Sequence, residues 1–375
     1  MTRGRRWPIP FLASLVLGGC TPAKVPPPVV DPAPSAPASA PSPSSPPPHM
    51  ATPDREVGDW SGEDVDVIRE PEAVARLIVD ERLFEKDGPP PAPAIDAIHR
   101  LGGLRYLAIR SQALTDVTAL GGLDRLEVLI LDGSSRVSRL PPLRGLPALV
   151  HLSLHGTALA DLEPLGEAPR LRVLDLGQTA VEDLAPLRKQ SALVELSLAG
   201  IFAADLTPLT ALPALAALDL SHLPAQDYSA LHSLPCLRRL VIDFARGFKL
   251  TDLPSGPLEV LSARGTGLVD LRPLSQRAAL RELWLGHNHE LVDLEPLASL
   301  KQLQFLDLTA TAVTTLDPLI GLPALKRVVL TRTAVDEAER EQFRQARPEV
   351  ELDDHTTHFA SPFGTVDGLF ISPGR

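Results

Sequence analysis

One pattern of leucines recurs through most of the chain. Residues 171–192 read LRVLDLGQTAVEDLAPLRKQSA, and residues 303–324 read LQFLDLTATAVTTLDPLIGLPA. The shared pattern is LxxLxLxxTxVxDLxPLxxLxx. Its first leucine recurs every 21 to 23 residues, at Leu104, Leu126, Leu149, Leu171, Leu193, Leu215, Leu237, Leu258, Leu280, Leu303 and Leu325. A fixed period of this length predicts a solenoid of stacked repeats.

Each repeat divides into a strand half and a turn half. The LxLxx portion alternates apolar and variable residues, which predicts a short strand with one buried face. The DLxPL portion predicts a short helix or 3-10 turn, because aspartate suits a helix N-cap and proline is tolerated in a first turn. A single repeat cannot bury its leucines alone, so we expect stability to belong to the array, with one strand per repeat in a parallel sheet.

These repeats resemble the short-repeat class of leucine-rich proteins found in bacterial internalins. The resemblance covers roughly two thirds of the chain and implies an α/β solenoid, a horseshoe with a parallel concave sheet and short convex helices or 3-10 turns. One position departs from the family. The residue after LxLxx is usually Asn there, whereas here it is mostly Thr or Ser and keeps the amide at Asn288. A hydroxyl bonds the turn backbone less completely than an amide does.

The segments on either side of the repeats (102–335) are predicted to cap the solenoid, because its two ends would otherwise expose the core. Residues 71–85 (PEAVARLIVDERLFE) predict a helix within an N-terminal cap region at 57–101. Residues 336–346 predict a helix with Phe343 inward, and residues 350–352 a closing strand, within a C-terminal cap and tail at 336–375.

The first nineteen residues predict a secretory signal. Three arginines precede an apolar run at residues 9–17 that is too short to span a membrane. Residues 17–20 (LGGC) resemble the bacterial lipoprotein cleavage box, which implies lipidation of Cys20. Cys236 is then left without a partner, so no intrachain disulfide is expected. Thr21 in place of Asp suggests, by the same resemblance, sorting to the outer membrane.

Residues 20–56 are rich in proline, alanine and serine and predict an extended tether between the anchor and the folded part. The chain carries a formal net charge of −11. An acidic body argues against nucleic acid and against binding to anionic lipid surfaces. No residue pattern calls for a cofactor.

Positions 2, 4 and 6 after each first leucine are expected to face the concave surface. Over the last five repeats they collect aromatic and charged side chains, the usual anchors of protein interfaces. The candidate binding patch consists of Arg239, Asp243, Arg264, Glu282, Trp284, Phe305, Asp307 and Arg327. The competing interpretation is a tryptophan that packs on its neighbours.

Three other groups of residues carry reactive side chains or break the repeat pattern. His151, Ser153 and His155, with Asp132 and Asp175 on flanking strands, contain hydrolase residue types, but no oxyanion hole or closed pocket is predicted. His287, His289 and Glu290 offer zinc-ligand chemistry on a loop without an evident fourth ligand. Residues 243–250 (DFARGFKL) break the template, and such irregular loops carry either function or drift.

The sequence therefore predicts a lipid-anchored, non-enzymatic module that binds a protein or peptide on the extracytoplasmic side of a bacterial membrane. A structural envelope scaffold without a discrete partner is the first alternative. A hydrolase that uses His151, Ser153 and Asp175 is the second.

Overall fold

A computed structural model describes residues 74–80, 98–225 and 227–354. The signal sequence, Cys20, the tether and the tail from residue 355 lie outside these described residues. So does most of the predicted cap helix.

One parallel sheet of thirteen strands runs through the described chain, with the strands in sequence order. The strands are β1 Arg76–Asp80, β2 Tyr106–Arg110, β3 Val128–Ile130, β4 His151–Ser153, β5 Val173–Asp175, β6 Glu195–Ser197, β7 Ala217–Asp219, β8 Arg239–Val241, β9 Val260–Ser262, β10 Glu282–Trp284, β11 Phe305–Asp307, β12 Arg327–Val329 and β13 Glu351–Asp353. The register places Leu174, Leu196 and Leu218 side by side as consecutive rungs.

Short 3-10 helices form the opposite side of most repeats. They span Thr118–Gly122, Leu143–Gly145, Glu163–Glu167, Ala185–Lys189, Thr207–Ala211, Ser229–Ser233, Leu250–Asp252, Arg272–Gln276 and Glu295–Ser299. In the next repeat the same place is taken by one α-helical turn, α1 Asp317–Ile320. The repeat leucines between the two sides are nearly all buried and form one continuous core.

The aspartate of DLxPL lies one residue earlier than an N-cap. Leu162 is the N-cap of the helix at Glu163–Glu167, and it makes no side-chain cap bond. Asp161 lies before it and accepts a hydrogen bond from the Glu163 amide at 2.9 Å. The predicted turn therefore forms, and the carboxylate satisfies the first helical amide from outside the helix.

The predicted helix at residues 71–85 is wrong where the structure describes it. Residues Arg76–Asp80 form strand β1, which pairs in parallel with β2 along five residues. Leu77 and Val79 are buried, so the period is two rather than 3.6. The β-branched Ile78 and Val79 suit a strand that completes the sheet, and this tertiary pairing overrides the local helical preference.

The carboxyl-terminal cap follows the prediction. Helix α2 spans Glu337–Ala346 with Phe343 buried, and the Asp336 carboxylate accepts from the Glu339 amide at 2.8 Å. Strand β13 then pairs with β12 and covers the last repeat.

Candidate protein-binding surface

Strands β8 to β12 bring all eight predicted patch residues to adjoining positions. The parallel register puts Glu282 beside Phe305, and Phe305 beside Arg327. In the next column Trp284 lies beside Asp307. The patch is therefore one surface across five repeats.

Trp284 is not the exposed anchor that the sequence suggested. Its exposed fraction is only 6%, because neighbours on both sides cover the indole. The Arg264 guanidinium carbon lies 4.3 Å from the ring centroid, and the Phe305 ring lies 4.3 Å away at 41°. The indole therefore supports the surface from beneath, held by cation–π and aromatic contacts.

Carboxylates hold Arg264 in place over the tryptophan. Its Nε lies 3.2 Å from Asp307 Oδ2, and its Nη1 lies 4.0 Å from Asp243 Oδ2. Asp243 Oδ1 also accepts from the Ser262 hydroxyl at 2.6 Å and from the Arg264 amide at 3.0 Å. Burial raises the pKa of Asp243. These bonds make the base of the patch rigid.

The solvent-accessible part of the patch is its outer column. Arg239, Glu282 and Phe305 are half-buried, and the Arg327 side chain is 40% exposed. Arg327 donates two hydrogen bonds to Glu351 Oε2, at 2.7 and 2.8 Å. A partner would therefore meet one aromatic and three charged side chains on a packed foundation.

The Ser153 cluster forms a different network from a hydrolytic triad. The Ser153 hydroxyl donates to Asp132 at 2.6 Å, and His155 lies 3.8 Å from Asp175. The neighbouring Asp175 carboxylate raises the pKa of His155, and burial raises the pKa of Asp132. His151 is half-buried one position before the strand's central leucine. The serine hydroxyl therefore bonds to a carboxylate, and the group forms a hydrogen-bonded column that contains acidic residues.

Asp219 continues this acidic column and was missed by the sequence analysis. Its carboxylate accepts from the Ser221 amide at 2.9 Å and from the Ser221 hydroxyl at 2.6 Å. Burial raises the pKa of Asp219 to about 6. Its position 4 residues after Leu215 is the same as that of Asp175 and Asp307, so the spacing carried the signal.

A second missed feature is a column of left-handed residues along one rim. In ten successive repeats the residue seven positions after the first leucine has φ between 53° and 71°. Four are glycines, and the others are Gln178, His222, Phe244, His287, Ala310 and Arg332. Left-handed backbone costs a non-glycine residue about 1–2 kcal/mol. The four glycines in this column were the available signal.

The two remaining candidate groups meet at this rim. His287 and His289 lie with ring centroids 6.2 Å apart, and no cluster of three or more metal-ligating side chains occurs among the described residues. The two phenylalanines of the irregular loop differ in burial. Phe248 is buried edge-on against Tyr228 at 5.7 Å, whereas Phe244 is 44% exposed.

Cys236 is buried and disulfide-bonded. The expectation of an unpaired Cys236 is therefore wrong for this structure. Cys20, the predicted site of lipidation, lies outside the described residues.

No family model and no curated protein matches the chain. Solved structures do. An internalin (inlF) from Listeria monocytogenes matches with a TM-score of 0.61 at 23% identity, over 80% of this chain and 86% of that one. The fold is a leucine-rich-repeat solenoid.

Two solved complexes share this solenoid architecture. The Toll–Spatzle complex of Drosophila has a TM-score of 0.56 at 13% identity, over 80% of this chain and 46% of that one. The TLR13–ssRNA13 complex has a TM-score of 0.52 at 16% identity, over 76% and 50%. The solenoid alone therefore does not choose between a protein and a nucleic-acid ligand.

Among the described residues no helix is long and apolar enough to cross a membrane.

Proposed function

We propose that this protein is a non-enzymatic binding module that holds a protein or peptide against the concave face of β8 to β12. The observation that carries the proposal is the Arg264–Trp284–Phe305 stack with its carboxylate supports. Side chains that are already ordered lose little entropy on binding, and aromatic and arginine anchors dominate protein interfaces.

The contacts with a partner are assigned to the outer column. Phe305 offers apolar area, while Arg239, Glu282 and Arg327 offer charges of both signs. Trp284, Arg264, Asp243 and Asp307 act as the foundation that keeps those side chains in position. Trp284 and Asp307 are buried, and the Arg264 and Asp243 side chains are 19% and 14% exposed, against 40% for Arg327.

Charge favours a protein over a nucleic acid. The chain has a formal charge of −11, and the concave column next to the patch carries Asp132, Asp175 and Asp219. A phosphate backbone would meet these carboxylates, and phosphate contacts dominate nucleic-acid affinity.

The anchor is the second half of the proposal. A signal sequence that ends in LGGC, followed by a proline-rich tether, supports an exported protein lipidated on Cys20 and held at the outer membrane. Two or more acyl chains give durable attachment. Neither the lipid nor the compartment follows from the repeat fold.

The binding half is tested by capture from an envelope extract. Phe305→Ala with Arg327→Ala removes two outer side chains and leaves the Arg264 contacts with Trp284 and Asp307 in place, so the variant should fold and lose the captured protein. Arg188→Ala, on the exposed 3-10 helix at Ala185–Lys189, is the matched control. Equal capture by all three proteins would refute the patch.

The anchor is tested by fractionation and mass spectrometry of the amino-terminal peptide. The wild-type chain should start at a lipidated Cys20 and sediment with membranes, and Cys20→Ser should not. A wild-type chain that keeps residues 1–19, or that starts at Cys20 without acyl groups, would reject the anchor.

A further inference from the structure

The rim of left-handed residues carries an exposed aromatic strip outside the concave patch. We define the rim strip as His222, Phe244, Arg246, His287 and His289, all of which are exposed. The Phe244 ring stacks on His222 with centroids 5.1 Å apart at 12°, and it lies 6.1 Å from His287 on its other side. The strip therefore crosses four repeats.

Glycine at position 265 makes room for this arrangement. A Cβ atom built on Gly265 would lie 2.5 Å from two atoms of the Phe244 ring. The ring thus leans over the intervening repeat toward His287. The Phe244 amide donates to the Arg264 carbonyl at 2.7 Å, which continues the sheet ladder and fixes the column spacing.

Folding alone gives no reason for large side chains here. Gly133, Gly156, Gly200 and Gly265 occupy the same column with the same backbone conformation and without steric penalty. Phe244 carries both the left-handed strain and exposed apolar surface. Strained residues cluster at functional sites, and exposed apolar surface marks interaction sites.

The electrostatics of the strip point to an acidic partner. Both faces of the Phe244 ring are flanked by imidazoles, so the ring offers its edge, which is the positive part of the aromatic quadrupole. Arg246 adds a guanidinium, and the histidines add N–H donors. In the described repeats, positions 7 and 9 after the first leucine contain no carboxylate, and Glu290 follows the strip at position 10 of its repeat.

We propose that the rim strip is a second docking surface, which takes an acidic peptide segment with an aromatic side chain from a partner protein. The carboxylates would meet Arg246 and the imidazoles, and the aromatic face would meet the Phe244 edge. An oligonucleotide is the disfavoured anion, because its affinity depends on several basic contacts along the phosphate backbone and the strip contains one guanidinium, that of Arg246.

Peptide binding to the full chain tests the proposal by fluorescence anisotropy. The probes are three labelled 12-residue peptides and a 12-nucleotide poly(dT). The first peptide has six glutamates and one tryptophan, the second has lysine for glutamate, and the third has alanine for tryptophan. The first should bind at least tenfold tighter than the other three probes. Equal or tighter binding of the lysine peptide, the alanine peptide or the oligonucleotide would overturn the proposal.

Phe244→Gly places the residue of the neighbouring repeats at this position, so the variant should fold and be no less stable than wild type. Its affinity for the acidic peptide should fall at least tenfold. Ala310→Gly makes the same kind of change in the same column outside the strip and should leave affinity unchanged. Unchanged affinity in Phe244→Gly would refute the assignment. The Phe305→Ala/Arg327→Ala variant should still bind the peptide, which separates this surface from the concave patch.

Discussion

Replacing Asn288 should destabilise the solenoid more than replacing any threonine of its column. The amide nitrogen donates to the Leu285 carbonyl at 2.8 Å and to the Ala263 carbonyl of the preceding repeat at 2.9 Å. Its oxygen accepts from the Leu268 amide at 2.9 Å. The side chain is fully buried, so it ties two repeats together where water does not reach.

The hydroxyls of Thr311 and Thr179, in the same column, make fewer hydrogen bonds. Thr311 donates to the Leu308 carbonyl at 2.8 Å, and Thr179 donates to the Leu176 carbonyl at 2.7 Å. Each of these bonds stays within its own repeat. The expected difference between amide and hydroxyl is therefore two hydrogen bonds that cross to the neighbouring repeat.

At about 1 kcal/mol for each buried hydrogen bond, Asn288→Ala should lower the free energy of unfolding by about 3 kcal/mol. Asn288→Thr should keep the bond to Leu285 and lose about 2 kcal/mol. Thr311→Ala, the matched control, should lose about 1 kcal/mol.

Urea denaturation followed by circular dichroism measures these differences, and hydrogen exchange at the Leu268 amide localises them. The exchange rate of that amide should rise in both Asn288 variants and stay unchanged in Thr311→Ala. If Asn288→Ala and Thr311→Ala lost the same free energy, the inter-repeat role of the amide would be rejected.

Two further predictions concern the acidic column and the rim. The folded-state pKa of Asp219, about 6, lies above its ordinary value of 3.8, so the stability that this carboxyl contributes is present below pH 4 and is lost as pH rises through 6. Asp219→Asn should therefore flatten this part of the pH dependence of the free energy of unfolding, measured by urea titration, by up to about 3 kcal/mol. An unchanged slope between pH 4 and 7 would contradict the assignment to Asp219. Gly265→Ala should lower the free energy of unfolding more than Gly200→Ala, because both variants acquire left-handed strain of about 1 kcal/mol but only the first displaces Phe244. This difference in destabilisation should vanish in a Phe244→Gly background. A difference that persists there would show that the clash is not with Phe244.

The periodic part of the fold was predictable because the same residue pattern recurs in every repeat. The spacing of the leucines predicted the rungs at Leu174 and Leu196, and the DLxPL segments predicted the 3-10 turns. The amino-terminal strand was not predicted, because residues 76–80 lie where the repeat pattern is degenerate and their pairing with β2 is a tertiary effect. Local preference could not reveal a partner strand thirty residues away.

The candidate patch shows the same limit at the level of side chains. Strand register placed Trp284 and Phe305 on one surface correctly, since that depends on spacing alone. The burial of Trp284 depends on how Arg264 leans across from the next strand, which spacing does not determine. The left-handed column was readable from its glycines, but only after aligning position 7 of all repeats.

We propose that the concave face of this solenoid holds a protein partner outside the cytoplasm. Photo-crosslinking in intact cells tests it, with a photoreactive amino acid placed at residue 305 on the concave face or at residue 188 on the convex side. We expect a discrete crosslinked protein from position 305, its loss when Arg327→Ala is added, and none of it from position 188. Crosslinking that is absent at 305, or identical from both positions, would contradict the claim.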